Sequence, residues 1–349
     1  MKQWIVDSKR RNKIRRKKQI EKYICLTLQM CVFIACLILT FLVTTKIVDF
    51  VRGTEQEKEV IALRQKDVIS DEMKQGGYTN GYEENNVTMM LQSEIDKGSL
   101  ILVNEWHPIR EYSDAQMVEI GECLDGVCQV KSRRIKLQEE ALHALREMLI
   151  DFNKVVGESD LTVISGYRDF NTQEKLHYNS LLEVKKTDEA LVAKPDRSEH
   201  HTGLAVDFGL TYEDGTSAEY NGAGIYSWIN DHCYQYGFIM RYAADKKEKT
   251  GIGYEPWHFR YVGKVHAQIM KELNLCFEEY CELLKNYSYY TKPGQGITQN
   301  TQGYSIYYVP CEGKITYIPL PMSKEYAISG NNEDGFIVTV DLTKGKNDK

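Results

Sequence analysis

Residues 23–45, YICLTLQMCVFIACLILTFLVTT, run for 23 positions without a charge. A helix of that length crosses a hydrocarbon core of roughly 30 Å. The run constrains everything after it, because the remaining chain must then fold in a single compartment on one side of a bilayer. The flanks set the direction. Residues 1–22 carry ten Lys or Arg against Asp7 and Glu21, so the positive-inside rule keeps the N-terminus in the cytoplasm and exports the rest. A cleaved leader would show a shorter apolar core and a small-x-small cleavage site, and the sequence has neither. The expectation is a single-pass membrane anchor.

The basic tail also hides the character of the body. With a surplus of eight positive charges in residues 1–22 and a total of −6, the rest of the chain stands at −14. An acidic body argues against nucleic acid as a partner. At 349 residues the chain has room for one well-cored domain with appendages. Three of the nine cysteines, Cys25, Cys31 and Cys36, fall in the apolar run and act there as small apolar groups. Of the other six, Cys123 and Cys128 can close a short loop as a disulfide in an oxidising compartment. The sequence fixes neither the pairing nor the oligomeric state.

Residues 46–94 are polar and lack a sustained apolar period, which reads as a stalk. A compact domain over 95–290 is announced by the apolar run SLILVNEWHPI. In it Leu137, Ala141, Leu145, Leu149, Phe152 and Val156 recur at helical spacing, and Gly157 is placed to end that helix. LTVIS reads as a buried strand, and GLAVDFGL, FIMRY and HFRYVG as further strands. Helices are expected over residues 171–184, over IYSWINDHCYQY, and as one final helix over HAQIMKELNLCFEEYCELL. Strands and helices alternate too irregularly for a repeating parallel unit. The fold class is therefore α+β, a small mainly antiparallel sheet flanked by helices. Residues 291–349 shift to Gly, Thr, Tyr and Asn with short alternating runs, as in a small β appendage.

Three segments carry chemistry: Ser198–Asp207 (SEHHTGLAVD), Glu255–His258 (EPWH) and Ser165–Arg168 (SGYR). With a period of two, Gly203, Ala205 and Asp207 share one face of a strand, while Leu204, Val206 and Phe208 point to the core. Asp207 thus stands on a face stripped of bulk, and His200 on the preceding loop can fold back toward it. A carboxylate oxygen and an imidazole nitrogen are both suitable zinc ligands, and a catalytic zinc needs a third ligand with one position left for water. His258 is the candidate. Pro256 opposes a helix here, so the chain is expected to be extended, with Glu255 in reach of a water proton as general base. Arg168 offers a fixed fork of donors for a C-terminal carboxylate or a developing oxyanion. Ser198 is placed to hydrogen-bond substrate and Trp257 to wall the pocket. Singly, any of these residues is more often an ordinary surface or core group, and only together do they argue for a site. His201 reads as a supporting group, and His177, His232 and His266 as structural.

The pattern S-x-H-x-x-G-x-A-x-D followed some fifty residues later by E-x-W-H resembles the VanY-type D-alanyl-D-alanine carboxypeptidases of the LAS group of zinc peptidases. The resemblance spans roughly residues 95–288. It implies zinc held by His200, Asp207 and His258, Glu255 as base, and Arg168 with nearby Gln173 as substrate-binding groups. It also implies peptidoglycan stem peptides as substrate and a bacterial cell membrane location with the catalytic domain outside. Asp169 departs from the Ser often found after that arginine. L,D-carboxypeptidase or endopeptidase activity on the same stems, and a non-catalytic wall-binding or sensing role, remain alternatives at this stage.

Overall fold

The computed structural model describes residues 85–110, 116–157, 159–183, 192–291, 296–297, 303–322 and 324–345. The expected anchor over 23–45, and most of the expected stalk, lie outside the described residues. Among the described residues no helix is long and apolar enough to cross a membrane.

The strands in chain order are β1 (Asn85–Leu91), β2 (Met117–Glu119), β3 (Gln129–Val130), β4 (Lys136–Gln138), β5 (Leu161–Ser165), β6 (Ala205–Thr211), β7 (Ser217–Glu219), β8 (Phe238–Tyr242), β9 (Glu255–Tyr261), β10 (Tyr304–Pro310), β11 (Ile315–Pro321), β12 (Lys324–Gly330) and β13 (Gly335–Gly345). The principal helices are α1 (Glu139–Val156), α2 (Phe170–Glu183), α3 (Ser227–His232), α4 (Lys264–Leu273) and α5 (Phe277–Lys285). The fold is α+β. Its central sheet has the order β3-β5-β6-β9-β8, with β7 on β6. Pairing is antiparallel except between β3 and β5.

Helix α1 covers one face of this sheet. Its apolar stripe, Ala141, Leu142, Leu145, Met148, Leu149 and Phe152, is buried against Val163, Val206, Phe208, Phe238 and Phe259. Removing a side chain such as Phe152 from this cluster would cost about 3–5 kcal/mol. Gly157, at φ 79°, ends α1. Along β6 the alternation expected from sequence is present, since Leu204, Val206, Phe208 and Leu210 all join that cluster. The opposite face of β6 is left free for chemistry.

Three features differ from the sequence reading. The single final helix is two, because Asn274 takes a left-handed conformation, φ 51°, and closes α4. Helix α5 then restarts with the side chain of Glu279 accepting the backbone N–H of Cys276 at 3.0 Å. The stalk does not extend to residue 94: Asn85–Leu91 forms β1 and pairs along its whole length with β11. The C-terminal β region is also no loose appendage. Ile297, Ile306 and Ile337 share a buried cluster with Leu100, Leu102 and the inner faces of α4 and α5. Residues Thr79–Lys349 form one compact unit. Within the run SLILVNEWHPI, Leu100, Ile101, Leu102, Val103 and Ile109 are buried while Trp106 is exposed, and the segment is irregular chain whose backbone bonds the C-terminal region, Leu102 N–H donating to Asn331 O at 3.1 Å. Cys123, Cys128, Cys233, Cys276, Cys281 and Cys311 are free thiols.

Candidate active site

The site is built on the free face of the sheet. Register places Asp207 of β6 directly opposite His258 of β9 on one side and Ser165 of β5 on the other. Side chains opposite each other in neighbouring strands share a face, so a carboxylate and an imidazole meet there because of pairing alone. His258 Nδ1 lies 2.9 Å from Asp207 Oδ1.

His200 comes from the short 3₁₀ turn Glu199–Thr202, which ends at Gly203. Gly203 has φ 67°, and a Cβ there would collide with the sulfur of Met117. That left-handed step turns the chain from the His200 loop into β6, and it brings His200 Nε2 to 3.1 Å from Asp207 Oδ2. The other ring nitrogen, Nδ1, is 2.7 Å from the carbonyl of Gly166, which fixes it as the protonated one. The turn is also tied to the SGYR loop. Arg168 N–H donates to His200 O at 3.1 Å, and His201 Nδ1 donates to Arg168 O at 2.7 Å. His201 Nε2 accepts from the Asp196 amide, so this residue links three loops and is not a member of the cluster.

His200, Asp207 and His258 are all buried, and one ligating atom from each lies within 4.8 Å of the others. The chemistry of the donors fits a divalent cation. His200 has its ring proton committed to Gly166, and burial, with Arg168 nearby, pushes it down to about 4, so Nε2 is a bare lone pair. His258 Nε2 faces Glu199 Oε2 at 3.3 Å, leaving Nδ1 toward the centre. Burial disfavours its cation, but the carboxylates of Asp207 and Glu199 push His258 up to about 9. A proton thus holds the place between His258 and Asp207 that a metal would take. Asp207 itself stays well below the usual carboxylate range: burial opposes ionisation, and His200 and His258 outweigh it.

Glu255 opens β9 and is half-buried beside the cluster, in the extended conformation expected from Pro256. Burial, with Asp207 adding to it and His258 opposing, pushes its carboxyl up to about 6. That is the range of a general base at neutral pH. Arg168 is held at every nitrogen: Nε donates to Ser165 Oγ at 3.0 Å, Nη1 to Gln173 Oε1 at 3.1 Å and Nη2 to Asp207 Oδ2 at 2.7 Å.

Two sequence assignments sit differently. Gln173 is wholly buried, its amide nitrogen donating to Ala193 O at 2.7 Å and its amide oxygen accepting from Arg168, so it holds Arg168 from a position without exposure. Trp257 packs against the main core cluster as well as lying between Pro256 and His258. Ser198 is buried at the start of the His200 turn, without capping it. Sequence reasoning gave no role to Glu199, Arg241 or Arg260, which form a buried charged group behind His258. A signal was present: Arg260 stands two residues after His258 in a strand and so shares its face, an unusual place for a cation without a partner.

A buried His, Asp, His triad with an elevated carboxyl and a fixed guanidinium beside it defines a metal-dependent hydrolase site on an α+β scaffold. Residues 134–264 match the family profile VanY, D-alanyl-D-alanine carboxypeptidase. The chain is 35% identical over 297 residues to a D-alanyl-D-alanine carboxypeptidase of Enterococcus faecium, a match covering 84% of this chain and 90% of that protein. It is 31% identical to a bifunctional D-Ala-D-Ala dipeptidase and D-Ala-D-Ala carboxypeptidase, VanXYC, of Enterococcus gallinarum, over 53% of this chain and 95% of that one. Among solved structures it superposes on the vancomycin resistance D,D-dipeptidase VanXYg in complex with a D-Ala-D-Ala phosphinate analog. The TM-score is 0.64 at 34% identity, covering 74% of this chain and 99% of that one. The chain belongs to the VanY family of D-alanyl-D-alanine carboxypeptidases.

Proposed function

We propose that this protein is a zinc-dependent D-alanyl-D-alanine carboxypeptidase that removes the terminal D-Ala from peptidoglycan stem peptides. The observation that carries this reading is the convergence of one ligating atom from each of His200, Asp207 and His258 within 4.8 Å, with Glu255 held at about 6 beside them. Zinc held by those three atoms would supply Lewis acidity toward the scissile carbonyl and lower the pKa of a nearby water. Glu255 takes a proton from the attacking water and delivers it to the amine of the leaving D-Ala. Arg168, already oriented by Ser165 and Gln173, binds the negative charge of the substrate's end or of the developing oxyanion. Ser198 is assigned to hydrogen-bond the substrate and Trp257 to wall the site.

The test is D-Ala release by the full chain, loaded with zinc, from pentapeptide and tetrapeptide stems. Release from pentapeptide, lost in Glu255→Gln while zinc remains bound, supports the reading. Release from tetrapeptide alone would assign an L,D-carboxypeptidase, and binding of stems without turnover would assign a sensing role.

The same reading places the catalytic unit outside a bacterial cell, anchored by residues 23–45. Its support is the uncharged run and the basic tail before it. Protease added to intact cells should remove the activity, and activity that survives until lysis would refute this placement.

A further inference from the structure

Behind His258 lies a group of four charges, three of them fully buried and the fourth, Glu278, partly so. Glu199 and Arg241 have no exposed side-chain surface, nor does Arg260. Glu199 Oε1 accepts from Arg241 Nε at 2.8 Å and from Arg260 Nη1 at 3.0 Å. Arg241 directs its other two nitrogens to Glu278, at 2.8 and 2.5 Å. Arg260 Nη2 donates to the carbonyls of Ser99 and Ile101, at 3.0 and 2.9 Å. The ring of Phe277 lies under both guanidiniums, 5.6 and 5.2 Å from its centroid. Two glutamates balance two arginines, so the group is neutral as a whole. Burying ions is nonetheless costly, and well-packed apolar residues would often serve stability as well. The geometry supplies another reason for the group. One carboxylate oxygen of Glu199 is immobilised by both arginines, and the other, Oε2, faces His258 Nε2.

We propose that Glu199 is a positioning residue of the metal centre: it accepts the Nε2 proton of His258, which fixes Nδ1 as the ligating atom, and its charge strengthens that nitrogen as a donor. Arg241 and Arg260 hold Glu199 in place for this task. The inference rests on the reading of His200, Asp207 and His258 as the metal centre. Carboxylate partners of this kind set the tautomer and orientation of a ligating imidazole. Glu199 is not a catalytic residue, since the hydrogen bonds described for its side chain go to His258 and the two arginines.

Replacing Glu199 alone would strand the arginines, so the test keeps the buried charge balanced. Glu199→Gln with Arg260→Met removes one charge of each sign and leaves the Arg241–Glu278 pair intact. Glu199→Met with Arg260→Met also removes the hydrogen-bond acceptor, and the wild type, balanced like both double variants, is the reference. Zinc affinity is measured on the full chain by competition with a chelator, and the visible spectrum of the cobalt-loaded protein reports ligand geometry. Affinity should fall about tenfold with Gln and up to about 100-fold with Met, with an altered cobalt spectrum. Both double variants binding zinc within about threefold of the reference would overturn the proposal and leave Glu199 a purely structural counter-ion. If the double variants do not fold, histidine nitrogen resonances of the zinc-loaded wild type decide. His258 protonated at Nε2 supports the proposal, and His258 protonated at Nδ1 overturns it. Failure of the wild type to bind zinc is a different result, and would remove the metal reading itself.

Discussion

Arg168 Nη2 lies 2.7 Å from Asp207 Oδ2, the same carboxylate oxygen that faces His200 Nε2 at 3.1 Å. The proposed substrate-binding cation and the proposed metal centre are therefore joined through one atom. A guanidinium so placed holds charge at the edge of the cluster without entering it. Arg168→Lys keeps the charge but loses the fork that reaches Ser165, Gln173 and Asp207 together. We expect kcat/KM on pentapeptide to fall about 10²-fold, with zinc content unchanged. Steady-state kinetics with metal analysis checks this, and a loss of zinc in the variant would show that Arg168 supports the metal instead.

Gln173 provides a second test of the same assembly. Its side chain joins Arg168 to the Ala193 carbonyl from a position with no exposure. Gln173→Ala leaves buried polar groups without partners and should destabilise the protein by about 1–3 kcal/mol. Activity should fall along with it as Arg168 loses its fixed orientation. A residue that touched substrate directly would raise KM and leave the unfolding midpoint in urea where it was.

The zinc-ligand candidates were legible because strand alternation and pairing do most of the work. Period two puts Asp207 on the small-residue face, and β6–β9 register then brings His258 opposite it. Glu199 escaped notice because its partners, Arg241 and Arg260, come from strands far along the chain, and nothing local marks a carboxylate as buried. Gln173 lies on the helix expected over 171–184 and beside Arg168 as expected, but its complete burial was not legible, since sequence spacing gives proximity and not exposure. The final helix was read as continuous because its apolar period survives the break. Asn274, able to adopt the left-handed conformation, was the local clue. The pairing of β1 with β11 could not be read, because it joins short strands more than two hundred residues apart. Alternation identifies a strand and says little about its partner.

Glu255 should make activity and stability respond oppositely. As a base it must be deprotonated, so kcat/KM should fall as pH drops through about 6. Its folded pKa is raised above the ordinary value near 4.5, so the folded state disfavours the charged form. The resulting destabilisation is absent below pH 4.5 and fully developed above about 6. Glu255→Gln should therefore abolish turnover and stabilise the metal-free protein by about 1–2 kcal/mol at pH 7.5, with little effect at pH 4. Urea unfolding of both proteins at the two pH values measures the difference. An equal or lower stability of the variant at pH 7.5 would show that Glu255 is not strained by its burial.

Metal removal should expose the behaviour of His258. In the metal-free protein its folded pKa is raised to about 9 by Asp207 and Glu199, against the opposing effect of burial. A raised histidine contributes stability that is fully present below its ordinary pKa near 6.5 and disappears as pH rises through the folded value. Chelated protein should therefore melt at progressively lower temperature between pH 6.5 and 9. Zinc replaces that proton, so its apparent affinity should rise by about tenfold per pH unit over much of this window, one proton being released per ion bound. At free zinc about 1,000-fold above its dissociation constant the metal should stabilise the fold by about 4 kcal/mol. Calorimetric scans with and without chelator test both statements together. In His258→Ala the zinc effect should vanish, and so should the loss of melting temperature with pH in the chelated protein. A chelated wild type whose melting temperature did not change between pH 6.5 and 9 would mean that Asp207 and Glu199 do not hold a proton on His258 in the metal-free protein.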